Sequence, residues 1–322
     1  ASLEEIRRPI EQDLEAFREY FREAMKSHVR VLDLVTRYML RKKGKQIRPI
    51  LVLLSAATAG RVSHTGYVAA ALVELLHTAT LVHDDVVDGA ERRRGIFSIN
   101  AVWKNRVAVL FGDFLLSRGL LLALEHKAYG LLHVVSDAVK RMSEGELLQM
   151  DMARRLDITE ETYYRIISDK TASLFAACAA CGAISTSEDE EVIGRMTELG
   201  EKLGLAFQIR DDLFDLGGED VGKPIGNDLR ERKITLPLIH ALREGTASER
   251  RKVLRIVRQK KKSGEDIRFI SQFVERMGGI SYARKAMLSL ADEARDVALT
   301  FPPSEARNSL MQLIDFVVDR RR

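Results

Sequence analysis

The sequence predicts an all-α protein, and three observations carry that expectation. Glycine and proline are sparse, at 21 and 6 of 322 residues, aromatics make up 6%, and leucine, alanine, glutamate and arginine dominate. Apolar residues recur at spacings of three and four through most of the chain. No run alternates as a half-buried strand does, no repeat of solenoid period occurs and no flexible linker is present, so one domain over residues 1–322 is the simplest account.

The elements follow in order. Ile10, Leu14, Phe17, Phe21 and Met25, then Val31, Leu34, Val35 and Tyr38, outline two amphipathic helices between Ile6 and about Arg41. Gly44 in KKGKQIRP breaks the pattern, and Pro49 suits the first turn of the next helix, Ile50 to Ala59. Lys45 and Arg48 stand at its start. Cations oppose the helix dipole there, but with the backbone N–H groups they make an anion site; a loop with solvated lysines fits the same residues. A long apolar helix from Leu72 ends in acid at Asp84, Asp85 and Asp88, with the basic turn ERRRG at 91–95 behind it. Ser98 to Leu124 predicts one or two buried helices, in which Asp113 needs a partner. Two more helices span about Tyr129 to Met152 and Thr159 to Ala183. The second carries Lys170 and Thr171, either satisfied locally or aimed into a cavity. The apolar run Leu199 to Ile209 leads into FQIRDDLFDL, with Asp211, Asp212 and Asp215. A glycine-dense loop at 217–233 offers Lys223 and Lys233. Three or four amphipathic helices fill Thr235 to Arg322, with the basic stretch Arg250 to Lys262 read as a solvated face.

Asp84 and Asp88 are four residues apart, which stacks two carboxylates on one helix face. Mg²⁺ accepts that arrangement while keeping waters and bridging to phosphate oxygens. A single such cluster fits a solvated or salt-bridged helix end better. The second cluster shifts the balance, because two acidic sets on buried helices repel each other at short range unless cations lie between them. The pair predicts a polynuclear Mg²⁺ site, with the neighbouring arginines suited to diphosphate.

Bulk numbers narrow the partners. A net charge of +4, with basic residues clustered beside acids, disfavours nucleic acid and favours small anions. No uncharged apolar run reaches the ~18 residues of a membrane span. Cys178 and Cys181 lie among alanines with no second pair, so they read as small core residues, not a zinc or redox motif. A cytoplasmic, soluble protein is expected.

Several segments together resemble the trans-isoprenyl diphosphate synthases, most of all the long-chain polyprenyl diphosphate synthases. They are GKQIRP at 44–49, ELLHTATLVHDDVVD at 74–88 with RRG at 93–95, SEGELLQ at 143–149, DKTASLF at 169–175, and GLAFQIRDDLFDLGG through GKPIGNDLRERKITLPLIHA at 204–241. They stand in the family's order and cover most of the chain up to His240. One departure is Gln46, where many members carry arginine. The resemblance implies an isoprenoid-synthase-type helical bundle around a central cavity, usually a homodimer. It implies Mg²⁺, three per active site with substrate bound, held by Asp84, Asp88 and Asp211, with Asp85, Asp212 and Asp215 as further ligands or water-bound neighbours. Lys45, Arg48, His77 and Arg94 would hold isopentenyl diphosphate. Arg93, Lys170, Lys223 and Lys233 would hold an allylic diphosphate, farnesyl or geranylgeranyl, while Thr171 and Gln208 would face the reacting carbons. On residues alone, His77 reads better as a satisfied core histidine.

The implied chemistry suits these residue types. Metal and cations stabilise charge on the departing pyrophosphate, the double bond of isopentenyl diphosphate attacks the allylic cation, and apolar walls keep water out. A helix advances about 5.4 Å per turn, close to one isoprene unit, so a bulky residue one turn before Asp84 would plug the path of the growing chain. Ala79 and Thr80 stand there, with Leu76, Val73 and Leu72 beyond. An all-trans product of roughly six to ten units (about C30–C50) follows, with use in a quinone side chain and transient membrane contact at release. A farnesyl- or geranylgeranyl-length synthase is the alternative. A class I terpene cyclase would not need the GKQIRP segment or the second acidic motif. A non-catalytic subunit would not need both motifs complete.

Overall fold

The structure, a computed structural model, describes residues 1–41, 44–93, 95–156, 159–216 and 226–319. Its helices are α1 (Leu3–Arg7), α2 (Glu11–Ala24), α3 (Arg30–Leu40), α4 (Ile47–Ala59), α5 (His64–Val87), α6 (Ile99–Glu125), α7 (Tyr129–Arg155), α8 (Glu160–Ile167), α9 (Ser173–Ile184), α10 (Glu190–Leu216), α11 (Asn227–Arg230), α12 (Leu236–Glu244), α13 (Ala247–Arg258), α14 (Gly264–Arg276), α15 (Gly279–Leu299) and α16 (Glu305–Val318). A 3-10 turn, Arg8–Ile10, joins α1 to α2, and a π-helical turn, Ser168–Ala172, joins α8 to α9. The only strands among the described residues are β1 (Arg92–Arg93) and β2 (Ile96–Phe97), a two-residue antiparallel hairpin.

The all-α expectation holds, with differences at the boundaries. The central helix α5 begins at His64, eight residues before Leu72, because small apolar residues Val68 to Ala71 extend its buried face. Five helices, α12 to α16, occupy the C-terminal stretch where three or four were expected. Ser263 caps α14 through its hydroxyl, accepting from the N–H of Asp266 at 3.1 Å, which starts a helix where the sequence showed only a break. The backbone of α6 is interrupted at Lys104, which has φ of 72°.

The chain divides into two compact units. One comprises Ala1–Val139, Phe175–Gly200 and Val297–Leu313; the other comprises Lys140–Leu174, Glu201–Asp296 and Ile314–Arg322. The core of the first is built on α5, with Ala69, Leu72, Val73 and Leu75 fully buried, together with Leu51 to Leu54 of α4, Leu14 of α2 and Phe111 of α6. Gly182 on α9 lets α4 approach closely, since a Cβ there would meet the Val52 carbonyl. Cys178 and Cys181 are free and buried in this core. By length and hydropathy α5 and α6 both resemble membrane spans. α5 spends that apolar surface on the core, whereas α6 leaves Leu110, Leu121 and Leu124 exposed. The core of the second unit gathers Tyr163 and Ile167 of α8, Ile209 and Leu213 of α10, and Ile270, Phe273 and Val274 of α14.

Candidate active site

In the first unit, α5 delivers its acids to its own C-terminus, where Asp88 is the C-cap. Asp84 and Asp88 are exposed. Asp85 is buried at 5% exposure and is taken up by Arg93, which donates Nε to Oδ2 at 2.7 Å and Nη2 to Oδ1 at 2.6 Å. That two-pronged bond holds the Arg93 guanidinium above its ordinary pKa, against the opposing effect of burial, with Asp84 and Asp88 adding to the rise. The turn carrying Arg93 is pinned by Ser98 Oγ and Asn100 Nδ2, which donate to the Ala90 carbonyl at 2.6 and 3.0 Å. Arg94 lies outside the described residues.

The cations before α4 are placed by other side chains of the same unit. Gln46 takes a left-handed conformation with φ of 54°, and its Oε1 accepts from Arg18 Nε at 2.9 Å and Nη2 at 2.7 Å. Gln46 is therefore not a loss of a cation but the acceptor for one supplied by α2. Arg48 donates Nε to Glu74 Oε1 of α5 at 2.6 Å, while Lys45 is exposed. His77 is half-buried, its carbonyl accepting from Thr80 Oγ1 at 2.7 Å. Asp113 finds its partner in His83, 3.3 Å away. Ala79, Leu76 and Val73 are buried, at 2%, 2% and 0% exposure. Leu76 lies in the seam with α6, where a Cβ at Gly119 would clash with its Cδ1.

In the second unit the π-helical turn carries Asp169, Lys170 and Thr171. A π turn widens the backbone spiral, and such turns concentrate at functional sites. Thr171 Oγ1 donates to Gln208 Oε1 at 2.7 Å, and Gln208 Nε2 donates to Asp212 Oδ1 at 2.9 Å. Tyr163 donates its hydroxyl to the other oxygen of Asp212. The hydrogen bonds run from Thr171 to Gln208 and from Gln208 to Asp212, so the only proton on Thr171 Oγ1 is already committed. Asp211 is exposed; Asp212 is buried at 6%. Burial pushes Asp212 up to about 7, with Tyr163 and Gln208 working against the rise. Asp215 caps α11, accepting the Asp228 N–H at 3.1 Å, and burial raises it as well.

Lys170, Gln208, Asp212 and Lys233 line one pocket, together with Gln149, Arg232 and Thr235. Thr235 Oγ1 is buried there with no hydrogen-bond partner among the described residues. Lys233 lies 3.8 Å from Asp228 and 3.6 Å from Glu231. Burial works to lower its pKa, but Asp228, Glu231, Asp212 and Glu146 outweigh that and raise it. Lys223 lies outside the described residues.

Sequence reasoning placed no role on Tyr163, Gln149, Glu146, Asp228 or Thr235. Tyr163 stands seven residues before Lys170, but the π turn at Ser168–Ala172 breaks the α-helical phase that would have linked them. No three His, Cys, Asp or Glu side chains among the described residues form a ready metal cage. Within each unit the exposed acids offer only carboxylate oxygens, Asp84 and Asp88 in the first and Asp211 in the second, the donor type that a hard cation such as Mg²⁺ takes.

The polyprenyl synthetase family model matches residues 29–274. The octaprenyl diphosphate synthase of Escherichia coli (strain K12) is 35% identical over 326 residues, covering 100% of both chains. The geranylgeranyl diphosphate synthase of Saccharolobus solfataricus is 33% identical, covering 92% of this chain and 93% of its own. The crystal structure of a decaprenyl diphosphate synthase from Rhodobacter capsulatus superposes with a TM-score of 0.93 at 34% identity, covering 100% of both chains. Helical architecture and full-length similarity define an isoprenoid diphosphate synthase, an enzyme that transfers prenyl groups. The chain belongs to the polyprenyl synthetase family.

Proposed function

We propose that the enzyme condenses isopentenyl diphosphate with an allylic diphosphate, farnesyl or geranylgeranyl, to an all-trans polyprenyl diphosphate of roughly six to ten isoprene units, judged at one unit per helical turn. The observation that carries the length is the small, buried Ala79, 2% exposed and five residues before Asp84 on α5, beside Thr80. Neither residue is large enough to end the chain early. Relatives named for octaprenyl and geranylgeranyl products are similarly identical to this chain, so family membership alone does not set the length.

Asp84, Asp88 and Asp211 serve as the Mg²⁺ ligands in this reading, and Asp85, Asp212 and Asp215 as further ligands or water-bound neighbours. The metal, when bound, neutralises charge on the departing pyrophosphate. Lys45, Arg48, His77 and Arg94 hold isopentenyl diphosphate; Arg93, Lys170, Lys223 and Lys233 hold the allylic diphosphate. Thr171 offers lone pairs to the allylic cation because its proton is given to Gln208. The enzyme acts as a cytoplasmic homodimer, a second copy covering Leu110, Leu121 and Leu124 of α6. Chromatography of the products of farnesyl diphosphate, isopentenyl diphosphate and Mg²⁺ tests the length. Chains of about C30–C50 are expected, at one isoprene unit per turn; products ending at geranylgeranyl length overturn it.

A further inference from the structure

The segment SEGELLQ at 143–149 is shared with the family, yet the reading above gives it no task. Three of its residues converge on one lysine. A Cβ on Gly145 would lie 2.8 Å from Lys170 N and 2.9 Å from Asp169 Cβ, so glycine is what lets α7 come this close to the π turn. Glu146 Oε2 lies 2.8 Å from Lys170 Nζ. Gln149 Oε1 accepts from the same Nζ at 2.6 Å. The turn is also fastened by Arg141, which donates Nε to Asp169 Oδ1 at 3.0 Å and Nη2 to Ser168 Oγ at 3.2 Å. α7 thus sets both the backbone and the ammonium of Lys170.

The two acceptors differ in kind. Gln149 lines the pocket and, as a neutral amide, aims Lys170 without cancelling its charge. Glu146 brings a full negative charge, its side chain is 52% exposed, and its field also reaches Lys233. An ion pair that exposed is weak enough to be exchanged for a more highly charged anion.

We propose that Gln149 is a positioning residue that keeps Lys170 directed into the pocket, and that Glu146 is a placeholder anion that pairs with Lys170 until a diphosphate takes its place. The idea rests on the diphosphate reading of this pocket. It fits the same protein in two states: with ligand absent, the lysines are partly neutralised; with ligand present, Lys170 changes partner and keeps its direction.

Calorimetric titration of inorganic pyrophosphate in the presence of Mg²⁺, on the full chain, tests both roles alongside steady-state kinetics and thermal melts. Glu146→Gln should bind pyrophosphate about two- to five-fold more tightly, the span expected for removing one exposed competing charge. It should lower KM for the allylic substrate by a similar factor with kcat held. Gln149→Ala should lower kcat roughly ten-fold or more while KM moves less, as loss of orientation does. Unchanged or weaker pyrophosphate binding by a folded Glu146→Gln overturns the placeholder. A Gln149→Ala enzyme with normal kcat overturns the positioning role. Failure of the unmodified protein to bind pyrophosphate overturns instead the diphosphate reading on which both stand.

Discussion

Arg93 grips Asp85 with two parallel hydrogen bonds, at 2.7 and 2.6 Å, while Asp84 beside it in sequence stays exposed on the same helix. Adjacent carboxylates on α5 therefore sit in separate environments, one outward and one held inward. The second acidic cluster repeats the division: Asp211 is exposed, and Asp212 is buried under Tyr163 and Gln208.

Stability and turnover should separate along that line. Asp84→Ala and Asp211→Ala are expected to lower turnover on the order of 10²–10³ with melting temperature nearly unchanged. Asp85→Ala should lower turnover and also cost roughly 1–3 kcal/mol of stability, because Arg93 loses a charge-assisted partner in a half-buried position. Paired kinetics and denaturant melts of the three variants check this; a destabilised Asp84→Ala with intact turnover would reverse the assignment.

The pH dependence of the metal-free protein has a definite sign. Asp212 is pushed up to about 7 in the folded chain from an ordinary carboxylate value of 3.8, so between those values the folded state binds more protons than the unfolded one. Stability contributed by this group is thus present at low pH and falls as pH rises toward 7. In chelator, the melting temperature between pH 5 and 8 should decline more steeply for the unmodified protein than for Asp212→Asn. Parallel slopes would remove the argument.

Product length should respond to one side chain. Ala79→Phe places an aromatic ring on α5 close to the acids and is expected to shorten the product by several units, at about one isoprene per helical turn. Product chromatography reads the shift, and an unaltered distribution would show that the chain takes another path.

The two cysteines should be inert. Both are buried, which pushes the Cys181 thiol up to about 12 and Cys178 higher still. Iodoacetamide at pH 8 should leave the native protein unlabelled and modify both after denaturation, as mass spectrometry would record.

Much of this was legible in the sequence, for reasons particular to each element. Spacings of three and four marked the helices because buried faces repeat on that period, and Asp84 and Asp88 announced themselves by lying one turn apart. What could not be seen was partnership across distance. Tyr163 stands 49 residues before Asp212, and His83 meets Asp113 from another helix. The π turn was equally hidden, since SDKTASLF carries no residue that only a π turn would require. It packs against Gly145, a glycine whose meaning lies in its neighbour and not in its own helix.

The bond from Arg18 to Gln46 couples positions 18 and 46 physically, since the amide oxygen takes both N–H groups of the guanidinium edge. A guanidinium at 46 would face the one already contributed by α2, so a lineage that gains arginine at 46 should lose it at 18. Where relatives carry arginine at 46, the absence of arginine at 18 would mark a second way of charging the same loop, and arginine at both positions would remove the argument.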